Sequence, residues 1–432
     1  MTNRIIYNGN TMTDQTEKPW KGNVAVFLVS QVVSLLGSAL VQYAIMWHIT
    51  LETKSGIMMT LYIICGFVPT FLLSPFAGVW ADRYNRKKLI ILADGMIAGV
   101  TLAMALVFMA GFRSVPLLFL VSAVRSVGTA VQGPAVGAIL PQMVPQDKLT
   151  RINGINGSIQ SGIMFVAPIV SGALLTLTAI ETIFFIDVVT AAAAIGLLLF
   201  FLKVGPHAKA AEGSGTGYFH DMLEGFRYIR NHRYLLSFFL YVGVFFFFIT
   251  PAAFLTPLQT TRSFGSDVWR LTAIELVFSV GMMAGGAIIA AWGGFKNRMH
   301  SMVVSNIIMA LCTIGLGLAP YFWLYLGFMG IFGLALPLYN TPSMVMIQEH
   351  VEENFMGRVF SVLSMLSTSL MPLGMLVFGP LADMVKIEWL LLATGGVMLL
   401  HGLRVLGIRR LIEAGKPVIA AAPAVPAPAS ID

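Results

Sequence analysis

Among the ionisable residues that stand inside long apolar stretches of this 432-residue chain are Arg125, Asp187, Asp94 and Glu275. Charge at such positions is costly and is kept where it pairs, binds protons or meets a charged ligand. An arginine with no water at hand needs a carboxylate or a polar pocket. A carboxylate in the same surroundings can bind and release a proton or attract a cation. A second group of charges, Gly78-Val-Trp-Ala-Asp82-Arg83-Tyr-Asn-Arg86-Lys87-Lys88, falls between two apolar stretches of a chain that is only 11% charged. Gly78 and Asp82 lie one helical turn apart, so the glycine permits close approach of a neighbouring helix and the aspartate offers an acceptor there. Such a carboxylate can hold a helix N-terminus or an arginine in one conformation and release it in another; the plainer reading, sufficient for Lys87 and Lys88, is that the charges anchor topology.

Composition dictates the elements that must position these groups. With 57% hydrophobic residues, a mean hydropathy of +0.82, 42 glycines and 25 methionines, the chain has far more apolar surface than a water-soluble globule can bury. A bilayer core about 30 Å thick needs roughly 20 apolar residues per helix. Twelve such stretches occur, near 22–49, 57–80, 89–111, 115–138, 152–177, 180–202, 235–258, 270–293, 299–319, 322–347, 357–380 and 388–408. The runs are continuously apolar and not alternating, which predicts helices and excludes lipid-facing barrel strands. The fold class is therefore an all-α membrane protein with twelve transmembrane helices.

If the first span runs outward, only Lys54, Arg113, Arg262, Arg270 and Lys386 of the 27 lysines and arginines face outside, and Arg125 alone lies deep in a span. That bias obeys the positive-inside rule and predicts cytoplasmic termini. The net charge of +7 is thus accounted for by topology, and no nucleic-acid partner is needed to explain it. The first 21 residues are polar and show no cleavable signal. Cys65 and Cys312 fall within spans, where neither a disulfide nor a metal site has support.

The spans divide into a tail at 1–21, a six-helix bundle at 22–202, a linker at 203–234, a second six-helix bundle at 235–412 and a tail at 413–432 rich in alanine and proline. Within the linker, Glu212-Gly-Ser-Gly-Thr-Gly217 reads as flexible. Phe219, Met222, Leu223, Phe226 and Ile229 then recur at helical spacing among Arg227, Arg230 and Arg233, predicting a basic amphipathic helix on the membrane face, with a solvated loop as the alternative. Pro134 before Arg151 and Pro342 before Arg358 repeat at an offset of about 208 positions, a faint internal repeat of the kind that alternating-access transporters carry.

The run Gly78-x-x-x-Asp82-Arg83-x-x-Arg86-Lys87-Lys88 resembles the cytoplasmic-loop signature of the major facilitator superfamily, with Asn85 where that signature prefers glycine. Asparagine tolerates the left-handed backbone of a tight turn better than most residues. Gln31-Val-Val-Ser-Leu-Leu-Gly, Arg125-Ser-Val-Gly-Thr-Ala, Pro134-Ala, Leu-Pro-Gln-Met-Val-Pro-Gln-Asp-Lys-Leu and Gly357-Arg358-Val-Phe-Ser are similar to the proton-driven drug efflux branch that includes macrolide efflux pumps. The resemblance implies two pseudo-symmetric six-helix bundles, drug export by proton antiport in a bacterial inner membrane, and a functional monomer. Its antiporter signature is weakened to Ala167-Pro168-Ile-Val-Ser171-Gly172, where Pro168 and Gly172 can still bend the helix and admit close packing. Siderophore and tetracycline exporters share several of these pieces.

Counting about 1.5 Å per residue, Arg125 and Asp187 lie at similar depths and Asp94 nearer the cytoplasm. Arg125 is thus expected to pair with Asp187 before Asp94, as a proton-coupling group or as a permanent pair holding the first bundle together. Glu275 is expected to attract a protonated drug amine, donate a proton, or snorkel to water. Gln31 and Gln42 can line the cavity, and Phe245 and Phe248 suit an adaptable apolar pocket. Gly78, Asp82, Arg83 and Arg86 form the expected conformational latch. There is no P-loop, dinucleotide turn or Cys/His ligand set, so neither an enzyme nor a cofactor is expected. A membrane receptor built on a transporter fold is the competing class.

Overall fold

The computed structural model describes residues 20–203 and 218–416. The expected flexible linker at 212–217 and most of both tails lie outside them. The first half comprises α1 (Trp20–Thr53), α2 (Gly56–Arg83), α3 (Arg86–Met109), α4 (Val115–Met143), α5 (Leu149–Leu177) and α6 (Ile180–Phe201). A connecting α7 (Tyr218–Asn231) leads to α8 (Arg233–Phe248), α9 (Thr250–Phe254), α10 (Thr256–Ser263), α11 (Val268–Trp292), α12 (Arg298–Leu318), α13 (Phe322–His350), α14 (Glu353–Met384), α15 (Ile387–Leu406) and the short α16 (Arg409–Ala414). Among the described residues, eleven helices are long and apolar enough to cross a membrane, or twelve if α7 and α8, bent by 111° at His232, count as one.

The stretch at 235–258 is not the single uninterrupted helix that its hydropathy predicts. Pro251 and Pro257 sit at the starts of α9 and α10, and each interrupts the helix before it. A proline lacks the amide that would continue the ladder, yet it fits the first turn of a new helix. Hydropathy averages over such breaks and cannot locate them.

Within the first half, α1 packs on α5 and α6, α2 runs along α4, and α3 lies against α4 and α6. In the second, α11 and α12 both pack on α13, and α15 lies against α12. The two halves meet along two seams, α2 with α14 and α5 with α11. For reference, the end carrying the 78–88 run is called the basic end and the opposite one the far end.

The second half has one continuous apolar core, from Leu235 and Phe238 through Met302, Met309, Tyr325 and Met346 to Leu391. The first half has two. One gathers Leu40, Ile45, Met104, Phe108 and Phe184 toward the far end, and the other Phe27, Ile90, Ile139 and Leu198 toward the basic end. Between them runs a polar layer that contains Asp94, Arg125 and Asp187, each buried.

Small residues let the helices approach closely. A Cβ on Gly285 of α11 would sit 2.0 Å from the Leu334 carbonyl oxygen of α13, whereas one on the adjacent Gly286 would meet nothing within 4 Å. Gly285→Ala is therefore expected to destabilise the second half by roughly 1–3 kcal/mol through overpacking. Gly286→Ala should be neutral or slightly stabilising, because alanine favours helix. Thermal unfolding of the two purified variants in detergent tests the pair, and equal melting temperatures would refute the close contact.

Candidate functional site

The polar layer centres on Arg125, whose Nη1 meets Asp187 Oδ2 at 2.5 Å. Nη1 also donates to the Thr101 hydroxyl of α3, and Nη2 donates to the Ser38 carbonyl of α1 at 3.2 Å. Ser38 Oγ in turn donates to Asp187 Oδ1 at 3.3 Å. Four helices of the first half thus converge on one ion pair. Its position requires α1 and α6 to touch: a Cβ on Gly37 would fall 2.0 Å from Thr190 Oγ1 and 3.1 Å from Asp187 Oδ1.

Asp94 stands apart from this pair. Its Oδ1 accepts from Ser34 Oγ at 3.1 Å and from Gln132 Nε2 at 2.6 Å, joining α1, α3 and α4. Its Oδ2 is buried without a hydrogen-bond partner.

The ion pair also reaches the surface between the halves. A cavity of about 380 Å³ is lined by Ser38, Gln42 and Met46 of α1, Tyr62, Gly66 and Thr70 of α2, and Ser122, Arg125 and Ser126 of α4, with Phe254 and Pro372 from the second half. Phe67 and Thr70 belong as well to an adjoining cavity of about 480 Å³ between α2 and α14, which includes Met222 of α7 and therefore leads toward the basic end. The first half supplies the arginine, the glutamine and several hydroxyls of the inner cavity beside apolar Ile45, Ile63 and Phe67, and Ser361, Ser364 and Thr368 of α14 line the outer one.

The far end is shut. Asp383, at the end of α14, accepts from Ser55 Oγ at 2.7 Å and from the amides of Gly56 and Ile57 at 2.7 and 2.9 Å, capping the first turn of α2. Arg262 clamps the same point, 2.6 Å from Asp383 Oδ1 and 3.0 Å from the Lys54 carbonyl. Gly379 of α14 approaches so closely that its Cβ would fall 1.7 Å from Thr60 Oγ1 of α2. On the second seam a Cβ on Gly172 of α5 would fall 1.9 Å from Thr272 Oγ1 of α11.

At the basic end the same two helices are apart. A Cβ on Gly78 or on Gly357 would meet nothing within 4 Å, so the close approach read from Gly78 is absent in this conformation. Asp82 is 62% exposed and lies 3.7 Å from Arg86, which donates to the Ala81 and Ala138 carbonyls and ties α2 to α4. Arg83 is exposed. Lys87 donates to the Leu199 and Leu202 carbonyls of α6 and so has a structural contact beyond its charge. Asn85 takes no left-handed turn: with φ at −66° it caps α3, its side chain accepting from the Lys88 amide. A short polar side chain serves as well at a helix start as in a tight turn.

Of the residues expected in the cavity, Gln42 lines it. Gln31 is instead buried within the first half, its Nε2 unpartnered. Phe245 stacks on Tyr339 at 3.9 Å in the second core, and Phe248 packs beside Phe378. Aromatic runs at a helix surface do not show which face meets the partner helix, and here packing won. Pro168 is buried without interrupting α5. Glu275 is half-buried on α11, within electrostatic reach of Tyr43 across the interface, and makes no hydrogen bond or ion pair among the described residues.

Sequence reading missed Asp383, although a signal for it exists. Gly78-Val-Trp-Ala-Asp82 is echoed by Gly379-Pro-Leu-Ala-Asp383, and Gly56 and Thr60 by Gly357 and Ser361, all at one offset of 301 positions. The ends of α2 and α14 therefore carry one pattern, in close contact at the far end, whereas at the basic end Gly78 and Gly357 meet nothing within 4 Å.

A family model described as Major Facilitator Superfamily matches residues 24–375. Macrolide efflux protein A of Streptococcus pyogenes is 28% identical over 377 residues, covering 87% of this chain and 93% of that protein. Multidrug efflux pump Tap of Mycobacterium bovis is 23% identical over 388 residues, covering 84% and 88%. The solved structure of a bacterial homologue of the iron transporter ferroportin in an inward-facing state superposes with a TM-score of 0.66 at 14% identity, covering 90% of this chain and 99% of that one.

Losing the Asp383 cap and its edge ion pair is worth about 1–2 kcal/mol, so Asp383→Ala should lower the far-end-closed population relative to the open one by about tenfold. Double electron–electron resonance between labels at Ile57→Cys and Met384→Cys, with Cys65→Ser and Cys312→Ser, reads the α2–α14 separation. Longer distances are expected in the variant. An unchanged distribution would show that the cap does not hold the far end.

Proposed function

The chain belongs to the major facilitator superfamily, and on that premise we propose that it exports hydrophobic or cationic drugs, macrolide antibiotics foremost, by proton antiport across a bacterial inner membrane. The observation that carries this reading is the cavity between the halves: sealed at the far end, continuous with a cleft toward the basic end, and walled by an ion-paired arginine. With the basic end cytoplasmic, as the positive-inside rule requires, the conformation is the one that receives substrate from inside the cell. The names of the macrolide and multidrug efflux relatives support the direction and the substrate class.

Proton coupling follows from the chemistry of the polar layer. A proton arriving on Asp187 breaks its hold on Arg125, and the freed guanidinium must find another acceptor or leave a buried charge unpaired at a cost of about 3–5 kcal/mol. Asp94, with one open oxygen in a network spanning α1, α3 and α4, is a second station. Glu275, unpartnered beside Tyr43, supplies the second half's negative charge for a protonated amine on the drug. Loading of a drug and of a proton thus act on groups that share the interface between halves, which is what alternating access requires. A single chain suffices for both seams, so the functional unit is read as a monomer.

Gly78, Asp82, Arg83 and Arg86 act in this cycle as the inner latch. When the far end opens, α2 and α14 close at the basic end, where Gly78 meets Gly357 and Ser361 as Gly379 now meets Gly56 and Thr60. Because α14 begins at Glu353, Gly357 is already inside that helix, so Asp82 meets the Arg358 side chain in place of free amides. Arg358 is held meanwhile by Glu224 of α7 at 2.9 Å.

Expression in a drug-sensitive, efflux-deficient bacterium is expected to raise tolerance to erythromycin-like macrolides severalfold, less so to tetracyclines and cationic dyes, and an uncoupler should abolish the effect. No change in tolerance or accumulation for any of them would favour an endogenous solute exporter or a receptor. The charge-neutral pair Arg125→Gln with Asp187→Asn should fold yet lose uncoupler-sensitive efflux, and full retention would remove the pair from the coupling mechanism. Asp82→Asn should slow turnover while leaving drug affinity near that of the parent, and an equal loss of both would mean that the latch and the binding site are not separate.

A further inference from the structure

The connecting helix α7 leaves a feature that export does not use. Where α7 turns by 111° into α8, a groove of about 680 Å³ opens between α7, α8 and α14. Its walls are apolar, with Leu223 and Phe226 from α7, Leu236 and Leu240 from α8 and Leu366 from α14, and Arg227, Arg230 and Asn231 stand along it. Leu223 is 56% and Leu240 62% exposed, and Phe226 and Leu236 are 39% exposed. On the side of α7 toward α14, Tyr228 stacks on Phe355 at 4.4 Å, and Ile229, which also lines the groove, is buried in the second core. Arg227 and Arg230 are exposed and make no side-chain hydrogen bond or ion pair among the described residues. They are three residues apart and so share a helix face.

We propose that this groove is a binding site for an anionic phospholipid of the leaflet at the basic end, its phosphate held by Arg227, Arg230 and Asn231 and one acyl chain laid between α7, α8 and α14. Both halves of the ligand are recognised by the groove's own chemistry. Guanidinium forks match phosphate oxygens bidentately, and the amide of Asn231 adds a neutral donor. Below them the apolar walls continue along α8 into the hydrocarbon slab, where an acyl chain already resides. A soluble anion fits the arginines but leaves the apolar wall uncovered, and a neutral lipid leaves the two positive charges uncompensated. Occupancy would brace α7 against α14, on the helix whose Arg358 is held by Glu224 of α7.

The test measures binding itself and does not depend on whether the chain exports drugs. Native mass spectrometry of the purified full chain, with phosphatidylglycerol or phosphatidylethanolamine of matched acyl chains added, reads lipid retention directly. Two lost guanidiniums, each contributing about fivefold, should weaken phosphatidylglycerol binding about 30-fold in Arg227→Gln with Arg230→Gln. Phosphatidylethanolamine retention should not change. The control pair Arg409→Gln with Arg410→Gln removes the same charge from exposed positions of α16 and should leave both lipids as in the parent. Leu240→Asn should also reduce phosphatidylglycerol retention, since it places a polar group on the acyl wall. Equal losses in the two arginine pairs would reduce the effect to bulk charge and overturn the site. Protection by sn-glycerol 3-phosphate as strong as that by the intact lipid, read by thermal shift, would overturn the lipid assignment as well.

Discussion

One interaction governs the architecture of the first half: an arginine and an aspartate buried together within an apolar slab. Alone, either charge would be very costly there, and paired they still need their remaining donors and lone pairs satisfied. Thr101, the Ser38 carbonyl and the Ser38 hydroxyl do this for Arg125 and Asp187, drawing α1, α3, α4 and α6 to one point. The lack of a side chain at Gly37 makes the required approach of α1 to α6 possible. In consequence the apolar core of this half is split, one part on either side of the polar layer. The second half has no buried charged residue among those described, and its core is continuous.

This asymmetry shapes the space between the halves. The first half contributes all the polar side chains of the inner cavity, hydroxyls, an amide and a guanidinium, set among Ile45, Met46, Ile63 and Phe67, and the second contributes only Phe254 and Pro372. A ligand there meets a few fixed polar groups set in a mainly apolar surround, an arrangement common to sites that orient a ligand by few contacts. The two seams that bound this space differ in their means of closure. On α5 and α11 the contact is steric, glycine against threonine. On α2 and α14 it combines a glycine approach with a carboxylate cap, and the cap is directional because only the start of a helix offers free amides.

The echo of Gly78 and Asp82 in Gly379 and Asp383 gives α2 and α14 reciprocal ends. Only one pair can be in contact at a time if each half moves as a rigid body, since closing one end levers the other apart. The match is incomplete in a way that matters physically. At the far end α2 starts at the contact, whereas α14 starts one turn before its own glycine, so the first closure is a helix cap and the second must rely on side chains.

Much of this was legible in the chain itself, because hydropathy, basic-residue bias and turn residues act span by span. The number and type of helices, the amphipathic character of α7 and the need of Arg125 for a carboxylate all follow from local pattern and depth. Pro251 and Pro257 were visible as well, but a mean over twenty residues conceals what two prolines do to one span. Gln31 and Phe245 show the other limit: polarity and aromaticity indicate that a residue is unusual, not which neighbour its face meets. Sequence alone therefore determined that this is a helical membrane protein with scarce, deep charges and a charged loop after its second span. Depth along the spans already favoured Asp187 over Asp94 as the partner of Arg125; only the tertiary structure decided that Asp94 keeps an open oxygen, that the far end is capped by Asp383, and that α2 and α14 stand apart at Gly78. Those outcomes depend on which helix faces meet, and residues far apart in the chain meet only once the fold has formed.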